Sequence, residues 1–114
     1  MKIVLLSALM AVGLGASLGS AMPTDTRARY ESEDKELGIL YNKLIAKLLQ
    51  CKPTAVKRLR ISERKWIEFR DAECGFEEQA DPTGHYKVAC LERLTLQRIE
   101  TLKSVLEGVE AECQ

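Results

Sequence analysis

Apolar residues recur every three or four positions in three separate segments of the chain, the spacing of helices with one buried face. The first segment starts at Ser32, a residue type that caps helices, and ends near Gln50. Its apolar positions are Leu37, Leu40, Tyr41, Leu44, Ile45 and Leu48. The inner positions of the second segment, with those that flank them, are Val56, Leu59, Glu63, Trp66, Ile67, Phe69, Arg70 and Cys74. Those of the third segment are Val88, Leu91, Leu94, Thr95, Arg98, Leu102, Val105 and Val109.

Two short stretches that contain proline interrupt this pattern and define the connections between the helices. Residues 51–54 read Cys-Lys-Pro-Thr, and residues 81–84 read Asp-Pro-Thr-Gly, which is a strong turn signal. No segment of useful length alternates between apolar and polar residues as a half-buried strand would. The pattern therefore predicts an all-α fold, a small up-down-up three-helix bundle.

The chain begins with the features of a secretory signal peptide. Lys2 precedes an apolar run over 3–18, and small residues follow at 19–21. The alternative, an uncleaved membrane anchor, needs roughly 20 apolar residues, and this run is shorter and rich in glycine. We predict a signal peptide over 1–21, a flexible leader over 22–31 and a helical domain over 32–114. The protein is then expected in the bacterial periplasm or outside the cell, without membrane insertion after cleavage.

Composition narrows the classes of function. The chain carries 17 basic and 17 acidic residues, and loss of Lys2 with the signal peptide leaves a net charge of −1. Dedicated nucleic-acid binders carry a basic excess, so we predict no nucleic-acid partner. An even count of four cysteines in a small exported chain favours structural disulfides over thiol chemistry or metal binding.

The spacing of the cysteines selects one of three possible pairings. Cys51 and Cys74 bracket the second helix, and Cys90 and Cys113 bracket the third, so each pair is about 34 Å apart along its helix. A disulfide requires Cα atoms within about 7 Å, which excludes pairing along either helix. If the two helices are antiparallel, Cys51 is also far from Cys90, and Cys74 from Cys113. The predicted disulfides are therefore Cys74–Cys90 and Cys51–Cys113.

Three inward positions carry side chains that need polar partners. Trp66 is expected in the core, and an exposed binding anchor is the alternative. Arg70, which precedes Asp71, must reach a carboxylate or lie at the edge of the bundle. The candidate carboxylates are Asp34, Glu63 and Glu73. An internal ion pair and the recognition of a ligand or partner both remain open for Arg70, and likewise for Arg98.

Signatures of catalysis are weak. The only histidine, His85, lies in a turn beside a glycine and offers no plausible base for the serines. There is no Cys-x-x-Cys pair for a metal and no glycine-rich phosphate loop. The acidic residues do not single out a catalytic pair. We therefore predict no enzymatic activity, no metal and no cofactor.

Three motifs of the chain resemble those of the LprI-like family, small exported bacterial proteins named for a lysozyme inhibitor. The matching positions are Asp34, Leu37 and Tyr41, then Arg64, Trp66, Phe69, Arg70, Asp71 and Cys74, then Cys90, Leu94, Thr95, Arg98 and Leu102. The chain departs from the family pattern at Gly38, where asparagine is usual, and at Glu63, where glutamine is usual. The resemblance extends over about 34–106, most of the predicted mature chain.

The resemblance implies an exported binding protein whose partner is lysozyme or another envelope protein. We expect it to inhibit lysozyme-type peptidoglycan hydrolases by occluding the active-site cleft; the alternative is a non-inhibitory periplasmic interaction module, such as an accessory or immunity-type protein. The candidate contact residues are Lys57, Arg58, Arg60, Lys65 and His85. The motif residues expected to support the fold are Tyr41, Trp66, Arg70, Asp71 and Arg98. The sequence leaves the oligomeric state open.

Overall fold

The chain folds into three helices joined by short connections. The structure, a computed structural model, describes residues 25–81 and 83–113 in full and the backbone alone of 2–24. Helix α1 spans Lys2–Cys51, a 3-10 turn follows at Pro53–Ala55, α2 spans Val56–Ala80 and α3 spans His85–Glu112. The predicted all-α three-helix bundle is confirmed, and the described residues include no strand. Within 25–81 and 83–113, no helix is long and apolar enough to cross a membrane.

The first helix starts earlier than the sequence pattern predicts. Residues 25–31, expected in a leader before a helix start at Ser32, are already part of α1, so the predicted start is wrong. Arg29 stabilises this part of the helix, because it pairs with Asp25 one turn earlier and its Nε donates to Glu92 of α3 at 3.0 Å. The predicted signal peptide, 1–21, lies outside the residues that are described in full, and the division of the chain into signal peptide, leader and domain stays a prediction.

The larger of two apolar clusters lies mainly between α1 and α3. Its buried side chains are Leu37, Leu40, Leu44, Leu48, Val56, Ile99, Leu102, Leu106 and Val109. The smaller cluster consists of Cys74, Cys90 and Leu94. Trp66 packs against both clusters and thereby connects them. Apart from Val56 and Cys74, the buried positions of α2 are the charged residues Glu63 and Arg70.

Both predicted disulfides are present. Cys74–Cys90 closes the α2–α3 connection with its Cα atoms 5.4 Å apart. Cys51–Cys113 ties the end of α3 to the junction of α1 and α2, with its Cα atoms 5.7 Å apart. For sequence separations of 16 and 62 residues, loop entropy predicts stabilisation of about 3 and 4 kcal/mol. The two disulfides therefore fasten both ends of the α2–α3 pair.

Ion pairs show that α2 and α3 are antiparallel. Basic residues dominate the first half of α2 and acidic residues the second half, an order that opposes the dipole of an isolated helix. The neighbouring helix supplies the opposite charges: Lys52, just before α2, pairs with Glu112 at the end of α3. At the other end, Arg93 of α3 pairs with Glu77 of α2 at 2.9 Å. These exposed pairs are individually weak, and they define orientation more than stability.

The two helices α1 and α2 have little contact with each other, whereas α3 packs closely against both. Three residues expected near the core are accordingly exposed: Ile67 is 41% exposed, Phe69 53% and Val105 44%. Phe69 and Val105 each directly precede a buried residue, so they point about 100° away from the buried face. Ile67 lies at the opening between α1 and α2. The predicted inner position of Val105 is therefore wrong, and Ile67 and Phe69, which were predicted to flank the inner face of the second helix, lie outside the core.

The connection between α2 and α3 is organised by Asp81. Its carboxylate accepts hydrogen bonds from the Thr83 backbone N–H at 3.1 Å, the Thr83 hydroxyl at 2.7 Å and the Tyr86 backbone N–H at 3.2 Å. These hydrogen bonds, above all the one from the Thr83 hydroxyl, hold the pKa of Asp81 below its usual range. Gly84 follows with φ of 79°, a conformation that side chains disfavour. This turn positions His85 at the first residue of α3.

Candidate functional site

Two guanidinium groups lie close to the ring of Trp66. The guanidinium carbon of Arg70, one turn later on α2, is 5.1 Å from the centre of the Trp66 ring, and that of Arg98 on α3 is 5.7 Å away. Both distances are within the roughly 6 Å of cation–π interactions. Tyr30 of α1 provides another ring, whose centre is 5.9 Å from Arg70. The half-buried tryptophan thus belongs to a centre to which all three helices contribute.

Arg70 is held by carboxylates from α1 and from its own helix. Its side chain is 10% exposed, its Nη1 donates to Asp34 at 2.9 Å and its Nε donates to Asp71 at 3.2 Å. Nη1 also lies 3.4 Å from the hydroxyl of Thr95, which is completely buried. Burial by itself lowers the pKa of Arg70, but the hydrogen bonds to Asp34 and Asp71 outweigh it and raise the pKa overall. Of the three carboxylates named from the sequence, Arg70 reaches Asp34.

The second cation of this centre, Arg98, pairs with Glu63. Its Nε and Nη2 each lie 3.2 Å from Glu63 Oε2, and Nη2 also donates to Ser62 Oγ at 3.2 Å. The side chains of Arg98 and Glu63 are only 13% and 10% exposed, so the pair is largely removed from water. The Glu63 carboxylate at this position neutralises the buried guanidinium of Arg98.

A groove of about 540 Å³ opens between α1 and α2 beside Trp66. The α1 wall includes Leu37, Gly38 and Tyr41, and the α2 wall includes Arg60, Arg64 and Ile67. Asp34 and Arg70 also line it, so the ion pair of the buried centre reaches the groove. Concave, largely apolar sites of about 300–1,000 Å³ with a few polar groups are typical of ligand binding. Its volume and its mixture of apolar and charged side chains make the groove a candidate functional site.

The four basic residues predicted to contact a partner do not form one patch. Lys57 and Arg58 line a separate hollow of α2, whereas Arg60 lines the groove. Lys65 pairs with Glu68 on the same helix at 3.7 Å. All four are exposed, and Lys57, Arg58 and Arg60 form no ion pair with a described residue. The structure thus assigns Arg60 to a different surface from the others.

His85 lies far from these basic residues. It is exposed and lines a shallow hollow with Thr26, Arg27 and Val88 at the α2–α3 connection. Lys57 lies at the opposite end of α2, whose 25 residues extend over about 37 Å. The two predicted contact regions therefore cannot belong to one small site.

Arg64 and Gly38 were not among the predicted contact residues, although both line the groove. For Arg64 the sequence held a usable signal, because its spacing of four residues from Arg60 places both on one helix face. For Gly38 there was no such signal. Its contribution depends on the separation between α1 and α2, which local periodicity does not report.

The described residues show no arrangement for metal binding. No group of three or more histidine, cysteine, aspartate or glutamate side chains among them could hold an ion. The two carboxylates of the groove, Asp34 and Glu63, are each engaged by an arginine. The chemistry that the site offers is recognition by guanidinium groups and aromatic rings.

Comparison with known proteins finds a family model that matches this chain. The family model described as "Lysozyme inhibitor LprI" matches residues 19–102, well over half of the 114-residue chain. The matched part contains the groove, Trp66, Arg70 and Arg98. No curated protein and no solved structure matches the chain.

Proposed function

The chain belongs to the LprI family, described as lysozyme inhibitors, and we propose that it is an exported inhibitor of lysozyme-type peptidoglycan hydrolases. The observation that carries this proposal is the family match over residues 19–102. The proposed role is binding rather than catalysis, and the partner is a protein. The proposed location is the periplasm or the medium, where such hydrolases meet their substrate.

The proposed contact surface is the exposed start of α2. Lys57, Arg58 and Lys65 are exposed there, and neither Lys57 nor Arg58 has an ion-pair partner among the described residues. Glycoside hydrolases of this type use two carboxyl groups, one of which must be protonated to act as the acid. A cation placed in the cleft excludes substrate and favours the ionised, inactive form of that acid.

The disulfides support this role through rigidity. Cys51–Cys113 fastens the segment immediately before α2, so the basic side chains project from a fixed backbone. A surface that is already ordered loses less conformational entropy when it binds. Inhibition is therefore expected to require the oxidised protein.

The test is an inhibition titration with the oxidised protein, residues 22–114, against animal-type, goose-type and bacterial lytic enzymes. Saturable inhibition of one class at micromolar protein is the expected result. Flat activity across the whole panel would contradict the proposal.

A charge-reversal variant identifies the surface. Lys57→Glu/Arg58→Glu/Lys65→Glu is expected to lose inhibition, because it would repel the carboxylates of the cleft. The matched control carries the same change of charge on α1, at Lys35, Lys43 and Lys47. Equal loss in both variants would indicate a net-charge effect and would reject the α2 surface. His85→Ala, made separately, tests the second predicted contact at the opposite end of the helix.

One observation favours the alternative function, a non-inhibitory interaction module. Phe69 and Phe76 are 53% and 68% exposed and lie seven residues apart on one side of α2. Exposed aromatic side chains are enriched at the centres of protein interfaces. If all hydrolases stay active, a specific envelope partner whose binding is lost in the Phe69→Ser/Phe76→Ser variant would support this function instead.

A further inference from the structure

The groove between α1 and α2 contains two cations that no residue within 25–81 and 83–113 neutralises. Arg60 and Arg64 line its α2 wall one helical turn apart, and neither forms an ion pair with a described residue. The carboxylates nearby are already engaged. Asp34 accepts from Arg70 at 2.9 Å, and Glu63 is 3.2 Å from Arg98. The groove therefore offers two guanidinium groups to an anionic ligand.

Apart from Asp34, Glu63 and Arg70, which are engaged in ion pairs, the remaining lining of the groove is largely apolar. The buried Leu37, the half-buried Tyr41 and the exposed Ile67 line it, next to Trp66. Gly38 contributes to the space because it lacks a side chain: apart from the adjacent residues and the local backbone of α1, no described atom lies within 4 Å of the position that its Cβ would occupy. A ligand for this groove thus needs an apolar group between its anionic groups and the α1 wall.

From this arrangement we propose that the groove binds a short extended peptide segment in which two carboxylate side chains flank an apolar one. Arg60 and Arg64 are about 6 Å apart along the helix axis. Alternate residues of an extended chain lie about 7 Å apart and point the same way, so two such carboxylates match the two guanidinium groups. The residue between them points to the opposite wall, at Leu37 and Tyr41.

The length of the groove agrees with a segment of this size. The α1 wall from Asp34 to Tyr41 extends over seven helical steps, or about 10 Å, and three extended residues also cover about 10 Å. This site is distinct from the outer surface of α2 to which hydrolase binding is assigned. It does not require that any hydrolase be inhibited.

The experiment titrates the oxidised protein with acetyl-Ala-Glu-Leu-Glu-Ala-amide. Trp66 is the only tryptophan of the chain and lines the groove, so its fluorescence reports occupancy directly. We expect a saturable shift of the emission, confirmed by calorimetry. The peptide with glutamine in place of both glutamates is expected to bind at least about tenfold more weakly, because the charge-assisted bonds are lost.

Three variants locate the binding. Arg60→Gln/Arg64→Gln is expected to weaken the peptide about tenfold or more. Gly38→Asn is expected to abolish binding by occupying the groove, while the fold is retained because the Cβ has open space at this position and asparagine suits a helix better than glycine. The matched control, Lys57→Gln/Arg58→Gln, removes the same charge from the other hollow of α2 and is expected to change affinity less than about twofold.

Several results would overturn this assignment. Equal weakening by the two double variants would indicate unspecific charge attraction, and equal binding of the glutamine peptide would remove the role of the arginines. If glutarate bound as tightly as the peptide, the groove would be assigned to small carboxylates. If sedimentation showed a dimer that the Gly38→Asn variant dissociates, the groove would be assigned to a second copy of the chain. Because no hydrolase is present, failure here is separate from failure of the inhibition assay.

Discussion

The guanidinium of Arg70 lies 5.1 Å from the centre of the Trp66 ring, one turn away on the same helix. The buried side chains of α1 and α3 include several leucines, whereas those of α2 include this arginine and Glu63. The contact of α2 with its neighbours therefore depends on charge pairs as well as on apolar packing. This makes the stability of the bundle sensitive to single polar substitutions.

Arg70→Ala removes the hydrogen bonds to Asp34 and Asp71 and the contact with Trp66 at once. The side chains of Asp34 and Asp71 are 47% and 60% exposed, so water can solvate them afterwards, which limits the loss. We expect the free energy of unfolding to fall by about 2–3 kcal/mol, measured by urea denaturation. Arg70→Lys, which keeps the charge without the planar fork, is expected to lose about half as much. An unchanged urea midpoint for the alanine variant would argue that Arg70 serves recognition and not the fold.

The pair Glu63–Arg98 is expected to be energetically coupled. Because both side chains are nearly removed from water, Glu63→Gln leaves a buried guanidinium without its counter-charge. We expect a loss of about 1–3 kcal/mol for this variant and a positive coupling energy of at least about 0.5 kcal/mol in a double-mutant cycle with Arg98→Gln. Additive losses in the cycle would show that the two residues act independently.

The two disulfides are expected to contribute unequally. Loss of Cys51–Cys113, through serine at both positions, opens the longer loop and is expected to cost about 4 kcal/mol. Loss of Cys74–Cys90 by the same change opens the shorter loop and is expected to cost about 3 kcal/mol. Denaturant unfolding without reductant measures both. The reverse order would show that native contacts at the α2–α3 connection outweigh loop length.

Glu33 predicts a specific dependence of stability on pH. Its Oε2 is buried without a hydrogen-bond partner among the described residues, and burial followed by repulsion from Glu92 raises the pKa of Glu33 above its ordinary value of 4.5. Because the pKa of Glu33 is higher in the folded than in the unfolded state, its protonation stabilises the fold. This stabilisation is complete below the unfolded-state pKa and is lost as pH rises through the folded-state pKa. Glu33→Gln is therefore expected to stabilise the protein at neutral pH, by less than about 1 kcal/mol, and to have no effect near about pH 4.

Thermal unfolding of Glu33→Gln across this range checks the prediction. Glu31→Gln, an exposed position on the same helix, is the control and is expected to show no such dependence. A stabilisation of Glu33→Gln that is equal at all pH values would mean that the charge of Glu33 is not the cause.

Part of the candidate site could be predicted from residue spacing. Spacing along one helix places Arg60 and Arg64 on the same side, and the need of a buried arginine for a carboxylate gave Asp34 as one of three candidate partners of Arg70. The groove itself could not be predicted. It exists because α3 packs closely against both other helices while α1 and α2 stay apart, and this spacing results from the side chains of all three helices together.

By itself the sequence determined the helical class, the positions of the breaks and the pairing of the cysteines. These depend on local periodicity, on proline and on the fixed rise of a helix, which are properties of short stretches of chain. Only the tertiary structure decided which sides of α2 are covered. Ile67 and Phe69 have the periodicity of residues near a core, yet they are exposed, because the part of the chain that the structure describes leaves these sides of α2 uncovered. Burial is a property of neighbours that are distant in sequence, and periodicity contains no information about them.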